Sequence, residues 1–495
     1  MSTTTLALET AEATVASATV NPVLWIARKE WLDLRRDARW RALASVTALM
    51  MLAALALGLL QTQRLEREHH AAEVGDRHVW TAQGAKNPHS AAHFGQYAFK
   101  PIGPLALAEP GIDAHVGSAA YLEAHKQNEV QFRAARDATL AARMGHLTLA
   151  FVLQTVLPLM AILLGFAAFS GEREQGTLRQ MLSLGVRPIH LLLGKALTGA
   201  SVLFGLLVLA SVGLVAGLWL FGSEHLADAG GDGLRLLGLI AGYSLYLMGF
   251  LALALAVSAR ARSSRAALVG LLSFWLLNSF LVPRFVTDLV RNADPLPTAL
   301  AFRAAIAEDK KQLFGHDEKH PGFIAFRDRV LKQYRVERVE DLPVSFRGLS
   351  LREDDEAGYM IFDRHFGRLQ AQIERQDAWR AVPGLVFPML ALQPVSMAMA
   401  GTDNRHHHHF VESAEKHRRL IQTAASQDLI DHAKNGDNSY AAPETTWAGI
   451  PSFEYRQPDA VWALQGQWRN LAALALWCLA CCALAWLSAL RLRAL

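Results

Sequence analysis

The sequence has little charge and almost no cysteine. Only 19% of its 495 residues are charged, whereas 52% are hydrophobic, a composition too apolar for an ordinary soluble protein. All three cysteines lie in the last apolar run, so the polar segments must fold by burial alone, without disulfides. The net charge is only +4 and the basic residues gather beside apolar runs, so no nucleic-acid partner is expected. These absences indicate a membrane protein.

Six apolar runs are long enough to cross a bilayer, whose core of about 30 Å needs about 20 helical residues. The predicted spans cover residues 40–60, 146–169, 191–221, 234–259, 266–283 and 470–490. Lys and Arg concentrate on the cytoplasmic side of membrane proteins. Six spans with both termini in the cytoplasm agree with the basic flanks, which are Arg28, Lys29, Arg35, Arg36, Arg39, Arg41, Arg173, Arg179, Arg187, Arg260, Arg262, Arg265, Arg491 and Arg493.

The remaining segments follow from this topology. Residues 1–20 lack the basic and apolar regions of a signal peptide, so a disordered cytoplasmic tail is expected. Residues 61–145 and 284–469 form two insertions on the outer side. Apolar residues at spacings of three and four predict that both insertions are mainly helical. Residues 381–401 are about long enough for a seventh span, but three prolines favour buried core or a broken helix.

Two functional features are missing from the chain. The mid-membrane parts of the six runs contain no ionisable residue, whereas ion-coupled transporters generally need one. A Walker A motif is also absent, because Gly194-Lys195 is followed by Ala196 inside an apolar helix. The chain is therefore expected to be neither an enzyme nor a cofactor protein, and to receive its energy from elsewhere.

The most informative stretch lies between the second and third spans, at residues 170–190. Leu178, Met181 and Leu182 recur at helical spacing beside charged residues, which predicts a short interfacial helix. By periodicity alone, this is also typical of an ordinary amphipathic loop. A second amphipathic helix is predicted over residues 21–39, where Asn21 can cap and Pro22 can begin a helix. Trp25 and Trp31 would then face lipid.

These two stretches resemble the signature of ABC-2 type permeases. The match in the loop comprises Glu172, Glu174, Gly176, Thr177, Leu178, Gly194 and Lys195, and the first helix resembles the family's elbow helix through KEW and RRD. The resemblance implies an all-α permease fold in the bacterial inner membrane, with the insertions in the periplasm. It also implies that residues 170–190 form a coupling helix that docks on a separate ATPase, which binds ATP and Mg²⁺.

Site and partner expectations follow from this resemblance. The partners would be two ATPase subunits, a second permease chain, identical or related, and membrane lipid. The periplasmic insertions would receive cargo, pass it on, or transmit mechanical work to a periplasmic protein partner. Uncharged polar residues within the spans are interpreted as interhelical hydrogen-bonding groups or as cavity lining; they include Gln154, Thr155, Tyr243, Ser244, Tyr246 and Asn278. The coupling residues would be Glu172, Arg173, Glu174, Gly176, Thr177, Leu178, Met181 and Leu182, and the elbow residues Trp25, Glu30, Trp31 and Arg36.

A further resemblance comes from residues 392–419, LQPVSMAMAGTDNRHHHHFVESAEKHRR. This stretch is similar to the subgroup of ABC-2 permeases with a large periplasmic insertion, the DUF3526 group, which is loosely related to permeases for multicopper-enzyme maturation. His406, His407, His408 and His409 suggest a metal site, since imidazole binds zinc, copper and nickel. Consecutive helical residues point in different directions, however, so a structural helix start capped by Thr402 or Asp403 is favoured over metal binding.

Two rival functions remain open. The chain could be a membrane-anchored periplasmic metal-handling protein that uses these histidines, but six spans are excessive for an anchor. It could also be a membrane enzyme, for which Asp354, Asp355 and Glu356 form a candidate acidic run. That run is interpreted as a solvated loop. The transporter interpretation explains more of the chain than either rival.

Overall fold

The protein is an all-α, multi-pass membrane protein with two insertions between its spans. The computed structural model describes residues 21–137, 147–221, 229–315, 317–435 and 439–492, with the backbone alone for 220, 221 and 229–232. The predicted tail, residues 1–20, lies outside the described residues. Six described helices are long and apolar enough to cross a membrane, as predicted: Ala38–Thr81, Leu149–Glu174, Pro188–Trp219, Gly233–Arg260, Ser264–Ala293 and Trp468–Leu490.

The elbow helix precedes these spans and covers Pro22–Arg36. Its first backbone N–H groups are capped by the side chain of Asn21, which accepts a hydrogen bond from Val23 at 3.0 Å. The helix packs along the third span, where Gly194 allows a close approach: a Cβ at this position would lie 2.5 Å from Ile26 Cγ2. Asp37 ends the elbow helix and caps the first span. We call this side of the membrane bundle the elbow side and the opposite side the insertion side.

Two spans continue well beyond their predicted ends. The first span has 44 residues, about 66 Å at 1.5 Å per residue, because the charged sequence after the apolar run remains helical to Thr81. The fifth span does not end at Pro283 but continues to Ala293. Apolar length therefore predicted the membrane-crossing part of each helix, but not its full length.

The second and fifth spans each contain a π-helical segment just before a proline. These segments are Val152–Val156, ahead of Pro158, and Leu277–Leu281, ahead of Pro283. Proline has no N–H group and its ring crowds the preceding turn, and a π segment absorbs this disturbance within a continuing helix. In the first segment, the backbone carbonyl of Gln154, which Pro158 leaves without its i+4 donor, accepts a hydrogen bond from the Tyr246 hydroxyl at 3.0 Å. The neighbouring carbonyl of Thr155 accepts from the Trp275 indole at 2.9 Å.

The first insertion combines helices with a small sheet. It contains the short helix Pro88–Phe94 and an antiparallel sheet in the order β1-β2-β3, formed by Gln96–Phe99, Ala119–Glu123 and Lys126–Gln127. The two insertions together are mainly helical, as expected, and this small sheet is the part that the apolar spacing did not predict. In its register, Gln96 lies opposite Leu122 and Glu123 opposite Lys126. Short helices cover Asp113–Val116 and Ala134–Asp137, and a 3₁₀ turn covers Pro104–Leu107. Another 3₁₀ turn, Val339–Asp341, lies in the second insertion.

The second insertion is helical. Its helices cover Ala299–Lys310, Pro321–Tyr334, Phe346–Ala378, Ala381–Gly384, Met389–Ala400, Asn404–His432, Glu444–Gly449 and Ala460–Gly466. The acidic run at Asp354 lies within the helix Phe346–Ala378, and not in a solvated loop as interpreted from the sequence. The two insertions share a core in which Trp80, at the far end of the first span, donates a hydrogen bond to the carbonyl of Trp447 at 3.1 Å.

Residues 381–401 fold as a broken helix that enters the membrane bundle. Its longer piece, Met389–Ala400, is buried almost throughout; we call it the wedge helix. It packs against the fourth and sixth spans, where Gly242 of the fourth span provides room for Val395. The side-chain oxygen of Asn278 accepts a hydrogen bond from the backbone N–H of Met389 at 3.0 Å. A side chain of the fifth span thus provides a hydrogen-bond acceptor for a backbone N–H group at the start of the wedge helix.

Candidate coupling site

The loop between the second and third spans forms a compact helical turn on the elbow side. The second span ends in the turn Ser170–Glu174, and a separate helix, Thr177–Ser183, follows; we call the latter the coupling helix. Gly176 joins them with φ +77°, a left-handed conformation that side chains disfavour. Gly185 ends the coupling helix with φ +81°. The predicted short helix is therefore present, set off by two glycines.

A buried ion cluster fastens this loop to the third span and the elbow helix. The ammonium of Lys195 lies 2.7 Å from Glu172 Oε1 and 2.8 Å from Glu30 Oε1. Only 5% of the Lys195 side chain is exposed. Burial by itself raises the pKa of Glu30, but the Lys195 and Lys29 ammonium groups together outweigh burial, so the pKa lies below its ordinary value. From the sequence, Lys195 was noted only as part of the family signature, because both of its carboxylate partners are remote in the chain.

The neighbouring charges of the signature bind two further spans. Glu174 accepts hydrogen bonds from the Ser264 backbone N–H and hydroxyl, both at 2.8 Å, and so binds the first turn of the fifth span. Arg173 donates to the carbonyls of Ala259 and Ala261 at 2.8 and 2.6 Å. A cation is favourable at that end of the fourth span, where helix carbonyls lack partners. The signature charges of the loop thus face the spans.

The coupling helix has a buried face and an exposed tip. Leu178 is buried, and Met181 and Leu182 are half-buried against the same core. Thr177 donates a hydrogen bond to the carbonyl of Glu172 at 3.2 Å. By contrast, Leu184 is 83% exposed. The exposed residues of the loop from Ser170 to Gly185 are Glu174, Gln175, Gly176, Arg179, Gln180, Ser183, Leu184 and Gly185.

A second polar cluster lies within the bundle toward the insertion side. Glu109, which follows the 3₁₀ turn of the first insertion, accepts from Gln154 at 2.8 Å and from Ser396 of the wedge helix at 2.9 Å. Gln154 also donates to the Tyr243 hydroxyl at 3.0 Å. Burial raises the pKa of Glu109, which favours its neutral form. These four side chains join the first insertion, the second and fourth spans and the wedge helix; we call them the inner polar network.

The sequence analysis placed no ionisable residue in the middle of the spans, but Glu109 reaches their core from a loop. It lines a small cavity with side chains of the second, third and fourth spans. Of the polar span residues considered, Gln154, Tyr243, Tyr246 and Asn278 form hydrogen bonds between helices, as interpreted.

Comparison with known families agrees with this architecture. The sequence profile of the ABC-2 family transporter protein matches residues 24–301, more than half of the chain. This protein belongs to the ABC-2 transporter family. A second profile, a domain of unknown function (DUF3526), matches residues 299–456. No curated protein matches the chain.

Family membership identifies this ABC-2 protein as a transmembrane transport subunit, and implies that it works with an ABC ATPase. The ABC-2 match covers the elbow helix, the coupling loop and the first five spans. The DUF3526 match covers most of the second insertion, including the wedge helix and the histidine run. Both resemblances deduced from the sequence are thereby confirmed.

The elbow helix of this ABC-2 protein presents an apolar side suited to lipid. Trp25 is 56% exposed and Trp31 is 40% exposed. The guanidinium of Arg28 lies over the Trp25 ring, 5.5 Å from its centroid. Arg36 is exposed near the end of the helix. Exposed tryptophan beside basic residues is typical of a helix that lies in the membrane interface.

The four consecutive histidines diverge, as expected for neighbouring positions on a helix. Asp403 caps the helix Asn404–His432 by accepting from the backbone N–H of His406. His406 itself is fully buried, with Nδ1 2.5 Å from Asp403 and Nε2 3.3 Å from the guanidinium of Arg235. The other three have separate surroundings, with Phe410 beside His407, Glu412 beside His408 and Tyr455 beside His409. This helix start is therefore partly buried, and not simply solvated, and its imidazoles do not converge.

Proposed function

We propose that this ABC-2 protein is the permease subunit of an ATP-driven transporter in a bacterial inner membrane. Both termini and the elbow side would be cytoplasmic, and the insertions would be periplasmic. Two copies of a separate ATPase, which binds ATP and Mg²⁺, would act on a pair of permease chains. The observation that carries this proposal is the coupling helix, which has an exposed tip and a base bonded to three spans and the elbow helix.

The hydrogen bonds and ion pairs at the base of the loop indicate which spans would move when the ATPase displaces the coupling helix. Lys195 joins the base of the loop to the third span and to the elbow helix. Arg173 joins it to the end of the fourth span, and Glu174 to the start of the fifth. Movement of one short helix would thus shift several spans together, which is the rigid-body type of switching transition.

The same contacts assign different roles to the signature residues. We propose that Glu172 and Glu174 transmit movement within the permease, since their carboxylates face its own helices. The exposed tip, which contains Arg179 and Leu184, would contact the ATPase. Apolar residues in the centre of an interface contribute most of the binding energy, whereas charges at its rim mainly set orientation and association rate.

The cargo would be exported, or handled on the periplasmic side by the insertions. The two insertions share one core and meet the membrane bundle through the wedge helix. A cargo or a periplasmic partner bound to the insertions would therefore sense the arrangement of the fourth and sixth spans. The inner polar network joins these same elements through hydrogen bonds.

The docking surface can be tested with a matched pair of variants. Leu184→Asp places a charge on the exposed tip and should reduce co-purification of the cognate ATPase at least tenfold, because a desolvated charge opposes docking. The control is Leu300→Asp, which introduces the same change at a position 80% exposed on the second insertion and should leave assembly unchanged. Both variants should insert and melt like the wild type.

The double variant Glu172→Ala/Glu174→Ala tests the transmitting role in the same assay. It should retain the ATPase but lose the change in ATPase activity that the permease causes in reconstituted membranes. If Leu184→Asp assembles normally with full activity, the tip is not the docking surface. If the double variant also behaves as the wild type, the coupling assignment of this loop is wrong.

A further inference from the structure

Three histidines of the first insertion converge at one end of its small sheet. His89 and His93 lie four residues apart in the helix Pro88–Phe94, so their side chains share one face. His125 lies in the turn between β2 and β3. Their metal-binding nitrogens all lie within 4.8 Å of one another. None of these residues belongs to the histidine run considered from the sequence.

The spacing of these nitrogens suits a metal ion. His89 Nε2 and His93 Nε2 are 3.3 Å apart. With metal–nitrogen bonds of about 2.0–2.1 Å, two ligands of a tetrahedral ion lie about 3.3–3.4 Å apart. The His125 ring centroid is 5.2 Å from each of the other two. The third imidazole therefore lies beside the other two, and binding of an ion would require its nitrogen to move to about 3.3–3.4 Å from theirs.

The backbone fixes the third histidine in place. His125 has φ +61°, a conformation uncommon for a residue with a side chain. Beside it, the backbone N–H of Ala124 donates to the carbonyl of Ala92 at 3.0 Å, which ties the turn to the histidine-bearing helix. Lys310 of the second insertion donates to the carbonyl of His125 at 2.7 Å. Contacts on both sides thus hold this strained turn against the other two imidazoles.

A carboxylate supports the third histidine from behind. Asp355 Oδ1 lies 2.9 Å from His125 Nδ1, and only 10% of the Asp355 side chain is exposed. Metal-binding histidines commonly donate their second N–H group to a carboxylate, which fixes the tautomer and the ring orientation. Asp355 Oδ1 is close to Nδ1 but accepts no hydrogen bond in the present ring orientation. If a rotation of the imidazole aligned Nδ1–H with this carboxylate, His125 would bind the ion through Nε2.

We propose that His89, His93 and His125 form a binding site for a late first-row divalent metal ion such as zinc, with Asp355 as the outer partner of His125. Imidazole is a suitable ligand for zinc, copper and nickel. Three protein ligands leave a fourth position, and His93 lies on the exposed side, so that position opens to solvent. The outer carboxylate comes from the second insertion, so the ion would bridge the two insertions.

Metal titration of the purified full-length chain tests this site, provided that the chain carries no polyhistidine tag and has been stripped with a chelator. Zn²⁺ should bind at one equivalent per chain and raise the melting temperature, because it binds only the folded state. Co²⁺ should give the visible absorption of a four-coordinate ion, and Zn²⁺ should abolish it. Asp355→Asn should weaken Zn²⁺ binding about 10–100-fold.

Two variants separate this site from other histidines. His93→Ala, at an exposed position, should fold normally and lose the cobalt absorption and the zinc-dependent rise in melting temperature. His407→Gln/His408→Gln/His409→Gln, which removes the diverging run, should retain both. The proposal is overturned if His93→Ala binds like the wild type, if the run variant alone loses binding, or if the wild type shows no stoichiometric metal.

Discussion

Two polar clusters hold this membrane bundle together, and they use opposite chemistry. The ion cluster on the elbow side pairs Lys195 with Glu30 and Glu172, close to the predicted membrane interface. The inner polar network lies deeper and joins Glu109, Gln154, Tyr243 and Ser396 through hydrogen bonds that favour a neutral carboxyl group. Charge can be paired at the edge of a bilayer, whereas its interior strongly disfavours an isolated charge. Depth in the bundle therefore explains which chemistry each cluster uses.

The largest expected effect comes from breaking the charged cluster. Lys195→Met removes the shared cation and leaves two partly buried carboxylates, which should cost about 3–5 kcal/mol of stability. Lys29→Met is the matched control: Lys29 also contacts Glu30, but 58% of its side chain is exposed, so its loss should cost less than about 1 kcal/mol. Unfolding in detergent, followed by tryptophan fluorescence, measures both. Equal effects would show that burial does not distinguish the two lysines.

A smaller effect is expected in the neutral network and its surroundings. Tyr246→Phe removes the donor to the Gln154 carbonyl, which Pro158 cannot replace because it has no N–H group. An unsatisfied buried carbonyl costs about 1–3 kcal/mol. In Tyr243→Phe, Gln154 still donates to Glu109, so a loss of only about 0.5–1.5 kcal/mol is expected. A greater loss in Tyr243→Phe in the same unfolding assay would contradict this ranking.

The smallest effect, Glu109→Gln, separates the clusters by their pH response. Because the pKa of Glu109 is raised in the folded state, its stabilising contribution is complete below the ordinary pKa of 4.5 and is lost as pH rises toward the raised value. The variant should differ from the wild type by less than about 1 kcal/mol at pH 5 and become relatively more stable by pH 8.

Glu30→Gln should show the opposite trend. The pKa of Glu30 is lowered, so its contribution is present above the ordinary value of 4.5 and is lost as pH falls. The wild type should therefore lose its advantage over this variant only in acid. Melting temperatures measured between pH 4 and pH 8 test both variants, and parallel pH profiles for the two would contradict the assigned protonation states.

The sequence predicted those parts of the fold that depend on local pattern. Apolar length located all six spans, and Asn21-Pro22 marked the start of the elbow helix. The coupling helix followed from the spacing of Leu178, Met181 and Leu182 and from the family signature. Each of these features depends on residues within a few turns of one another.

Features that depend on remote residues were not predicted. Glu109 and Gln154 are 45 positions apart, and His93 and His125 are 32 apart, so no sequence window brings either pair together. The conformation of the His125 turn depends on contacts with Ala92 and Lys310. Pro158 and Pro283 were visible in the sequence, but the π segments that accommodate them depend on partners from other spans. The four adjacent histidines suggested a metal site in the sequence. Adjacent side chains on a helix point in different directions, however, so these imidazoles do not converge.

The length of the first span matters for how movement could pass along it. It starts at Asp37, directly after the elbow helix, and its far end is fixed to the second insertion by Trp80 and by Arg77, which donates to the carbonyl of Ile450 at 2.9 Å. A straight helix about 66 Å long that pivots by about 5° at one end moves its other end by about 6 Å. Under the proposed coupling, this helix would act as a lever arm, and a short displacement beside the elbow helix would become a several-fold larger displacement at the second insertion.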